Sequence, residues 1–408
     1  MGQPEYAFDK TFCSAALLRA LAEEYGTPLL VYDRETWLGR VKLLKEAFSW
    51  APGFRQFFPV KAAANPALWQ LALQAGCGLL CSGEVELSLA AQAGGTGQSL
   101  LFTSCFPGRE DWEAVRKTGA QVILDSPSQL AEAPLPEGKT LGLRLKYHHG
   151  SGKRALWSRF GMDREQLLDA AILASRRGAT SLGLHVHRTG LYRPGEWSSS
   201  AEAIFGLVEE VQEAAGLPVA WCDLGGGLLW DQKEAYTLDL PKEAAAIREA
   251  FERTVPAAGR EQMEIRTQLG RFLAAPCGLL LATVRGVKDS WVGVDASMAD
   301  LPRACLAGVQ YHVSLLGSIG LQGRSSRFLS GRSTDSLDHF GRRLLPPVSP
   351  GDILVFHGAG AYSRSMASNY GGSLRCPEIL LEDGVPRLIR RREVNAGRKF
   401  SWRTAFPA

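Results

Sequence analysis

The fold class is decided by residues 54–93, which read FRQFFPVKAAANPALWQLALQAGCGLLCSGEVELSLAAQA. Two short apolar runs, Phe54–Val60 and Gly78–Cys81, are each followed by a stretch with helical periodicity, Asn65–Ala75 and Gly83–Ala93. Apolar runs of this length are typical of buried strands. The alternation of strand and helix predicts βα units in a parallel sheet.

The same alternation continues toward residue 275. Further strand candidates are Leu100–Thr103, Gln121–Leu124, Leu141–Lys146, Ser181–His187, Val219–Leu224 and Glu264–Gln268. Further helix candidates are Arg109–Thr118, Asp163–Arg177 and Ser198–Ala215. Eight strand candidates in this arrangement predict an α/β protein with a (β/α)8 TIM-type barrel. A doubly wound parallel sheet is the rival architecture, but it usually has fewer strands.

Beyond about residue 275 the helical periodicity mostly disappears. The strand candidates there are Leu279–Val284, Trp291–Val294, Tyr311–Leu315, Asp352–Phe356, Glu378–Leu381 and Leu388–Arg390. We expect residues 36–275 to form the barrel, and residues 1–35 and 276–408 to form a β-rich domain. The N-terminal segment adds the strand candidate Pro28–Tyr32. Gly323–Arg332 is rich in Gly, Ser and Arg and predicts a surface loop.

The composition is that of an ordinary globular protein. The 408 residues are 45% hydrophobic, and 46 basic against 42 acidic residues leave a net charge of +4. So small a charge gives no reason to expect nucleic acid or a membrane as the partner. The polar start and the lack of a long apolar run predict a cytoplasmic protein. The eight scattered cysteines predict reduced thiols, with neither a disulfide framework nor a metal site.

Polar residues follow several predicted strands, where a barrel enzyme places its chemistry. Lys61 ends the first barrel strand. A desolvated amine there could form a Schiff base, although a lone lysine is usually a surface charge. His185 and His187 share one face of the sixth strand, and packing or ring stacking explains them better than metal binding.

Two glycine-containing turns favour an anion. Asp223-Leu-Gly-Gly-Gly227 follows the seventh strand, and its clustered backbone amides would suit a phosphate. Gln268-Leu-Gly-Arg271 follows the eighth strand, and its arginine could bind a phosphate or a carboxylate. Three further clusters lie at residues 294–303, 331–338 and 358–370, although glycine turns and acidic caps could explain each of them.

Together these motifs resemble the pyridoxal-phosphate (PLP) dependent decarboxylases of alanine-racemase fold, and within them diaminopimelate decarboxylase. The resemblance runs from about Pro28 to about Arg391, with the motifs in the same order and at similar spacing. It implies PLP as the cofactor and a homodimer. In that dimer the Thr334-Asp335 segment of one chain would reach the active site of the other.

The resemblance also implies roles for individual residues. On the cofactor, Lys61 would hold PLP as a Schiff base, His187 would stack on the pyridine ring, and other contacts would come from Gly225, Gly226, Gly227, Gln268, Gly270, Arg271 and Tyr362. On the substrate, the contacts would come from Arg271, Arg303, Asp335 and Tyr362. Lys61, His187 and Thr334 occupy the catalytic positions.

Two departures from the family pattern concern the chemistry itself. The family usually has Glu at position 268, where it keeps the pyridine nitrogen protonated. Gln268 can hydrogen-bond that nitrogen but cannot hold it protonated as a carboxylate does. The proton-donating Cys of the family corresponds to Thr334, whose hydroxyl is a far poorer acid than a thiol. Reprotonation would then need another donor, and Lys61 is the candidate.

Other departures concern the substrate pocket and the phosphate site. Asp335 stands for a Glu that binds the distal amine of diaminopimelate, so the charge is kept with a shorter reach. Ala307 stands for a Tyr, which enlarges or opens the distal pocket. Gly190 replaces a phosphate-binding Ser, and Leu79 replaces an Asp. A diaminopimelate-like substrate therefore remains the expectation, with a larger conjugate from a specialised pathway as an option.

Three functions of different classes follow from these residues. The leading hypothesis is PLP-dependent α-decarboxylation of a diaminopimelate-like amino acid, in lysine-type biosynthesis or a specialised pathway. A racemase or epimerase on the same fold is the second, since a non-protonated ring would suit it. A non-catalytic PLP-binding relative is the third, because both the acid and the pyridine partner differ from the family pattern.

Overall fold

The computed structural model describes residues 11–135, 138–147, 159–188, 190, 193–228, 239–319 and 325–394. The chain divides into two compact units. The first unit is Trp37–Ala274, and the second combines Met1–Thr36 with Ala275–Ala408.

The helices are α1 (Ala15–Tyr25), α2 (Arg34–Ala47), α3 (Pro66–Gln74), α4 (Glu84–Gln92), α5 (Arg109–Thr118), α6 (Arg164–Arg176), α7 (Glu196–Phe205), α8 (Val208–Ala215), α9 (Leu240–Thr254), α10 (Ala257–Arg260), α11 (Arg271–Ala274) and α12 (Pro302–Ala307). The strands of the first unit are β2 (Gly53–Pro59), β3 (Gly78–Cys81), β4 (Leu100–Ser104), β5 (Gln121–Leu124), β6 (Thr140–Leu145), β7 (Ser181–Val186), β8 (Val219–Asp223) and β9 (Glu264–Thr267). Those of the second unit are β1 (Leu29–Asp33), β10 (Gly278–Lys288), β11 (Trp291–Val294), β12 (Val313–Leu315), β13 (Ser325–Ser330), β14 (His339–Leu345), β15 (Ile353–His357), β16 (Glu378–Glu382) and β17 (Val385–Arg390).

Strands β2 to β9 form a closed parallel barrel. The barrel closes where β2 pairs with β9, with Gly53 beside Glu264. Each of the eight predicted strands overlaps one barrel strand, so the prediction of a (β/α)8 barrel is confirmed. In a barrel of this kind the carboxyl ends of all the strands lie at one rim, and this rim carries the site described below.

A close contact between Gly183 and Trp221 shapes the barrel interior. Trp221 packs with Phe57, Leu80 and other apolar side chains of neighbouring strands. A Cβ at Gly183 would lie 2.1 Å from the indole of Trp221, a distance that real Cβ atoms essentially never show. Glycine is therefore required at position 183 for the indole to fill the barrel.

One predicted helix proved to be two. We expected a single helix over Ser198–Ala215, but α7 ends at Phe205 and α8 begins at Val208. Gly206 occupies the break, and glycine is among the least favourable residues inside a helix. The break leaves each short helix with its own buried apolar face, which includes Trp197 and Ile204 on α7.

The second unit contains a mixed sheet. Its strand order is β14-β13-β11-β10-β1-β16-β17, and β15 pairs with both β10 and β12. Strand β1 pairs antiparallel with β10 and parallel with β16. Its side chains Leu29 and Val31 pack in an apolar core with α1. The β-rich second part that the sequence predicts is thus present.

The expected surface loop at Gly323–Arg332 was a wrong prediction, because Ser325–Ser330 forms strand β13. This polar segment pairs with β11 on one side and β14 on the other. Phe328 stacks on Trp291, with ring centroids 4.8 Å apart. Strand pairing and this stacked pair stabilise a strand in a segment whose serines and arginine carry no apolar strand pattern.

Candidate active site

Lys61 directly follows β2 in a single 3-10 turn, Val60–Ala62, and its side chain is exposed. Its positive charge affects the pKa values of two other groups, Glu86 and His187. Burial raises the pKa of the Glu86 carboxyl, and the Ser82 amide and the Lys61 ammonium oppose that rise. Glu86 lies in the first turn of α4 and accepts a hydrogen bond from the Ser82 N–H at 2.7 Å. Glu86 was not among the residues predicted from the sequence.

His187 follows β7, and its ring is held by the glycine turn. Its Nδ1 accepts a hydrogen bond from the Gly226 N–H at 3.1 Å, which leaves the proton of the neutral ring on Nε2. Burial lowers the pKa of His187 to about 3, with the charges of Arg144 and Lys61 as smaller causes. The imidazole is therefore neutral at physiological pH, and it is a flat ring held in one orientation.

The glycine turn packs closely against the ends of two other strands. Gly225 and Gly227 have φ values of +66° and +106°, which favour glycine. A Cβ at Gly225 would lie 2.3 Å from the Val186 carbonyl oxygen, and one at Gly226 would lie 2.3 Å from the Gln268 carbonyl oxygen. Because side chains cannot be accommodated there, the turn keeps an uncovered backbone beside His187.

Gln268 directly follows β9 and is buried, with 4% of its surface exposed. Its Nε2 donates to Oδ2 of Asp223 at 2.8 Å, and Oδ1 of the same carboxylate accepts from the Gly225 N–H at 2.8 Å. Burial raises the pKa of Asp223 to about 6, against the lowering effect of these two hydrogen bonds and of Arg266. The pairing of Gln268 with Asp223 was not predicted.

Gly270 and Arg271 come next. The Gly270 carbonyl accepts hydrogen bonds from the amides of Leu273 and Ala274, so it marks the start of α11. Arg271 is the first residue of α11, and its side chain is half-buried.

A buried ion pair lies at the carboxyl ends of β5 and β6. Arg144 donates to Asp125 at 2.8 Å, and both side chains are largely buried. The Arg144 charge is also a cause of the lowered pKa values of His185 and His187. Arg144 therefore brings positive charge to the same rim as Lys61. Sequence spacing could not reveal this pair because its members lie on separate strands.

In the second unit, Arg303 and Tyr362 lie together. The Arg303 guanidinium lies over the Tyr362 ring, 5.2 Å from its centroid. Tyr362 has a φ of +59°, an uncommon conformation for a bulky residue, which usually marks a functional constraint. This pair brings two of the predicted site residues of the second unit into contact.

Thr334 and Asp335 lie in the segment between β13 and β14. Asp338 anchors that segment, because its buried carboxylate accepts from the amides of Met298 at 2.6 Å and Ser333 at 2.8 Å. Thr334 is exposed. Asp335 accepts from the Leu337 amide and from the Tyr370 hydroxyl at 2.7 Å, and these bonds lower its pKa.

The residues at the barrel rim fit pyridoxal phosphate. A primary amine at Lys61 suits an aldehyde, the neutral His187 ring suits an aromatic face, and a glycine turn without side chains lets a phosphate approach its backbone. A Cβ would obstruct the glycine turn, so the residue types present match this cofactor. In the described ranges, no group of His, Cys, Asp or Glu could hold a metal ion.

All eight cysteines are free thiols, as the scattered spacing predicted. Of the helices in the described residues, none is long and apolar enough to cross a membrane.

Comparisons with known proteins agree with this site. The family described as pyridoxal-dependent decarboxylase, pyridoxal binding domain, matches residues 38–275. Protein TabA of Pseudomonas amygdali pv. tabaci is 32% identical and covers 92% of this chain and 91% of its own length. Diaminopimelate decarboxylase of Methanothermobacter thermautotrophicus is 29% identical and covers 91% of both proteins. The crystal structure of diaminopimelate decarboxylase from M. jannaschii has a TM-score of 0.83 at 25% identity and covers 92% of both chains.

The family match covers more than half of the chain, and Protein TabA is 32% identical over most of its length. These two similarities establish the family. The chain belongs to the pyridoxal-phosphate-dependent decarboxylases of alanine-racemase fold, and pyridoxal 5'-phosphate is its cofactor.

Proposed function

We propose that the protein removes the α-carboxylate of a diaminopimelate-like amino acid and that Lys61 is the residue that binds the cofactor. The observation that carries this proposal is the arrangement at the barrel rim. There a neutral His187 is bonded to the Gly226 amide, and the Lys61 charge acts on the same ring. Diaminopimelate decarboxylases recur among the relatives and among the solved structures, which supports the substrate class.

When bound, pyridoxal phosphate supplies an electron sink for the electrons that the departing carboxylate leaves behind. The residues of the chain bind and orient. Lys61 offers the amine that binds the cofactor aldehyde, and His187 offers a neutral face for the ring. The glycine turn would hold the phosphate through the Gly227 amide, since the Gly225 and Gly226 amides donate to Asp223 and His187. Arg271 adds a charge that suits the phosphate or the substrate carboxylate.

The proton that replaces the carboxylate at Cα needs a donor. An aliphatic hydroxyl such as that of Thr334 is a poor acid at neutral pH, so Thr334 is assigned an orienting role. The ammonium form of Lys61 is a better acid than a hydroxyl, and the carboxylate of Glu86 is close enough to respond to its charge. We therefore assign the proton transfer to Lys61.

The distal end of the substrate is assigned to residues of the second unit. The Arg303 guanidinium suits a carboxylate, and Tyr362 lies under it. Asp335 keeps a negative charge that suits an ammonium group, because its two hydrogen bonds lower its pKa. Ala307 is small and exposed, so a substrate larger than diaminopimelate is compatible with this surface. The pathway is accordingly lysine-type biosynthesis or a specialised one.

The working form is assigned as a cytoplasmic homodimer. The exposed Leu306 and Leu337 lie close in sequence to Ala307 and Asp335 and are 70% and 58% exposed. Apolar side chains exposed beside substrate residues favour a partner surface there. A second copy of the chain is the partner that the family resemblance implies.

A racemase is the second candidate, because Gln268 stands where the family usually has Glu. Its amide donates to Asp223, and an amide stabilises a protonated pyridine nitrogen less than a carboxylate does. A ring without that proton is a weaker electron sink, and it favours proton exchange at Cα over loss of the carboxylate.

The test measures CO2 release by PLP-loaded protein from a panel of diamino and dicarboxylic amino acids. Lys61→Ala should abolish both the absorbance of the cofactor linkage and CO2 release. Lys42→Ala is the matched control, because Lys42 is also exposed and forms a long ion pair of 3.8 Å with Glu46 on the surface of α2. Full CO2 release by Lys61→Ala would refute the assignment, as would a borohydride-trapped cofactor on another lysine.

A further inference from the structure

A buried carboxylate lies one hydrogen bond behind Gln268. Asp223 is fully buried, and its two oxygens have separate donors. The Gly225 N–H binds Oδ1, and the Gln268 side-chain amide binds Oδ2, both at 2.8 Å. Both donors belong to the turns that surround His187, so the carboxylate ties the two turns together at the base of the site.

The direction of the second hydrogen bond fixes the amide of Gln268. An ionised carboxylate only accepts hydrogen bonds, so the NH2 end of the amide must face Asp223. The carbonyl oxygen is then at the opposite end, directed away from Asp223. A planar amide held in this way presents an acceptor to whatever lies on that side.

The charges that act on the pKa of Asp223 come from β9. Arg266 lowers the pKa of Asp223, and Glu264 raises it. In the sheet register, His185 on β7 and Arg266 on β9 are the neighbours of Asp223 on either side. Burial lowers the pKa of His185 well below its usual range, and a side-chain hydrogen bond with Gln268 opposes that lowering. This imidazole is therefore uncharged. With the pKa of Asp223 at about 6, the carboxylate is mostly ionised at pH 7.

Gln268 is part of the cofactor site by position. Its backbone oxygen packs against Gly226, and the Gly226 amide binds His187. The side chain is buried just after the end of β9, at the rim that also carries Lys61 and His187. An amide carbonyl oxygen has two lone pairs, so the oxygen of Gln268 has capacity for a second hydrogen bond besides the one with His185.

Resting on the proposed function, we propose that Asp223 is a positioning residue that acts through Gln268. It holds the amide so that the carbonyl oxygen accepts the N–H of the pyridine ring and thereby keeps that nitrogen protonated. The pair Asp223–Gln268 thus does the work of the single carboxylate that the family usually has at position 268. A protonated ring favours decarboxylation over the racemase alternative.

The experiment loads the protein with PLP labelled with 15N in the ring and reads the protonation of that nitrogen by NMR. This signal does not depend on turnover. We expect the wild-type signal at the protonated position. Asp223→Asn should move it to the unprotonated position. Because the Gly225 N–H still needs an acceptor, the introduced asparagine turns its NH2 toward Gln268, and the Gln268 amide must reverse and offer its own NH2 to the ring.

The double variant Asp223→Asn with Gln268→Glu should restore the protonated signal, since it exchanges the amide and the carboxylate while keeping the hydrogen bond. Asp163→Asn, at the N-cap of α6, is the matched control and should leave the signal unchanged. If Asp223→Asn does not fold, Gln268→Leu removes the acceptor and should give the unprotonated signal.

An unprotonated ring in the wild type would overturn the proposal, and so would an unchanged signal in Asp223→Asn. If the carbonyl oxygen of Gln268 accepts a hydrogen bond only from His185, the 15N signal will not change in Asp223→Asn or in Gln268→Leu, and this result would also overturn the proposal. CO2 release is measured on the same samples. A protonated ring without CO2 release would refute the proposed reaction and leave the role of Asp223 intact.

Discussion

Two regions carry the predicted chemistry: the turns at the barrel rim, for the cofactor, and the Thr334-Asp335 segment of the second unit, for the substrate. These regions differ in burial and in hydrogen bonding. At the rim, Asp223 and Gln268 are buried and hydrogen-bonded, and the glycine turn has no space for side chains. In the other segment, Thr334 is exposed, and Asp335 is held by the exposed Tyr370.

This difference explains where substitutions are tolerated. A change at the rim disturbs packing and buried hydrogen bonds, so the one major departure there, Gln268, comes with a buried partner. Changes at exposed positions such as Thr334 and Ala307 cost the fold little. We therefore expect the residues that bind the cofactor to tolerate few substitutions and the residues that bind the substrate to tolerate more.

The first test of this contrast is Gly226→Ala at the barrel rim. The added Cβ would lie 2.3 Å from the Gln268 carbonyl oxygen, so the turn must move. Overpacking of this kind costs about 1–3 kcal/mol, and if the cofactor-bound form bears that cost, PLP affinity falls about 5- to 150-fold. Cofactor titration by fluorescence measures it. Gly39→Ala is the control, because Gly39 lies inside α2 with no described atom within 4 Å of its added Cβ. Equal affinity in both variants would show that the turn does not bind the phosphate.

Arg303→Ala tests substrate binding by the second unit. If Arg303 binds a distal carboxylate, its loss removes a charged hydrogen bond worth about 1.5–3 kcal/mol. We expect kcat/KM to fall about 10- to 100-fold for substrates with a distal carboxylate and to change little for those without one. PLP affinity should stay at the wild-type value. Arg387→Ala, which removes an exposed arginine paired with Glu382, serves as the control. A uniform loss across all substrates would contradict the assignment.

The last prediction concerns the stability of the fold and its dependence on pH. The pKa of Asp223 is about 6 in the folded protein and about 4 in an unfolded chain. Between these values the folded state binds more protons, so this group makes the fold less stable as pH rises from about 4 to about 6. The loss is about 3 kcal/mol in total. In the absence of PLP, Asp223→Asn should remove that part of the pH dependence, as measured by urea unfolding. A variant with the same slope as the wild type would show that Asp223 does not titrate there.

Most of the fold could be predicted because barrel strands are short apolar runs with a regular spacing. Every barrel strand overlaps its predicted segment, since burial on both sides leaves a clear apolar pattern. Strand β13 was missed because its serines and arginine carry no such pattern, and its pairing with β11 and β14 comes from residues distant in sequence. The break between α7 and α8 was signalled only by Gly206.

The site was predictable in its parts but not in its connections. Motifs at strand ends indicated Lys61, His187 and the glycine turn, because glycines and lone polar residues after strands are visible in the sequence. The partners were not visible. Asp223 with Gln268, and Asp125 with Arg144, join residues from different strands, and only the closed barrel brings them within hydrogen-bond distance.

The central claim is that this chain replaces the α-carboxylate of an amino acid by a proton. The most direct measurement is incubation of PLP-loaded protein in D2O with a panel of diamino and dicarboxylic amino acids, with the products analysed by mass spectrometry. We predict that a diaminopimelate-like substrate loses CO2 and gains one deuterium on carbon. Deuterium exchange at Cα with the carboxylate retained would contradict this claim and establish the racemase instead.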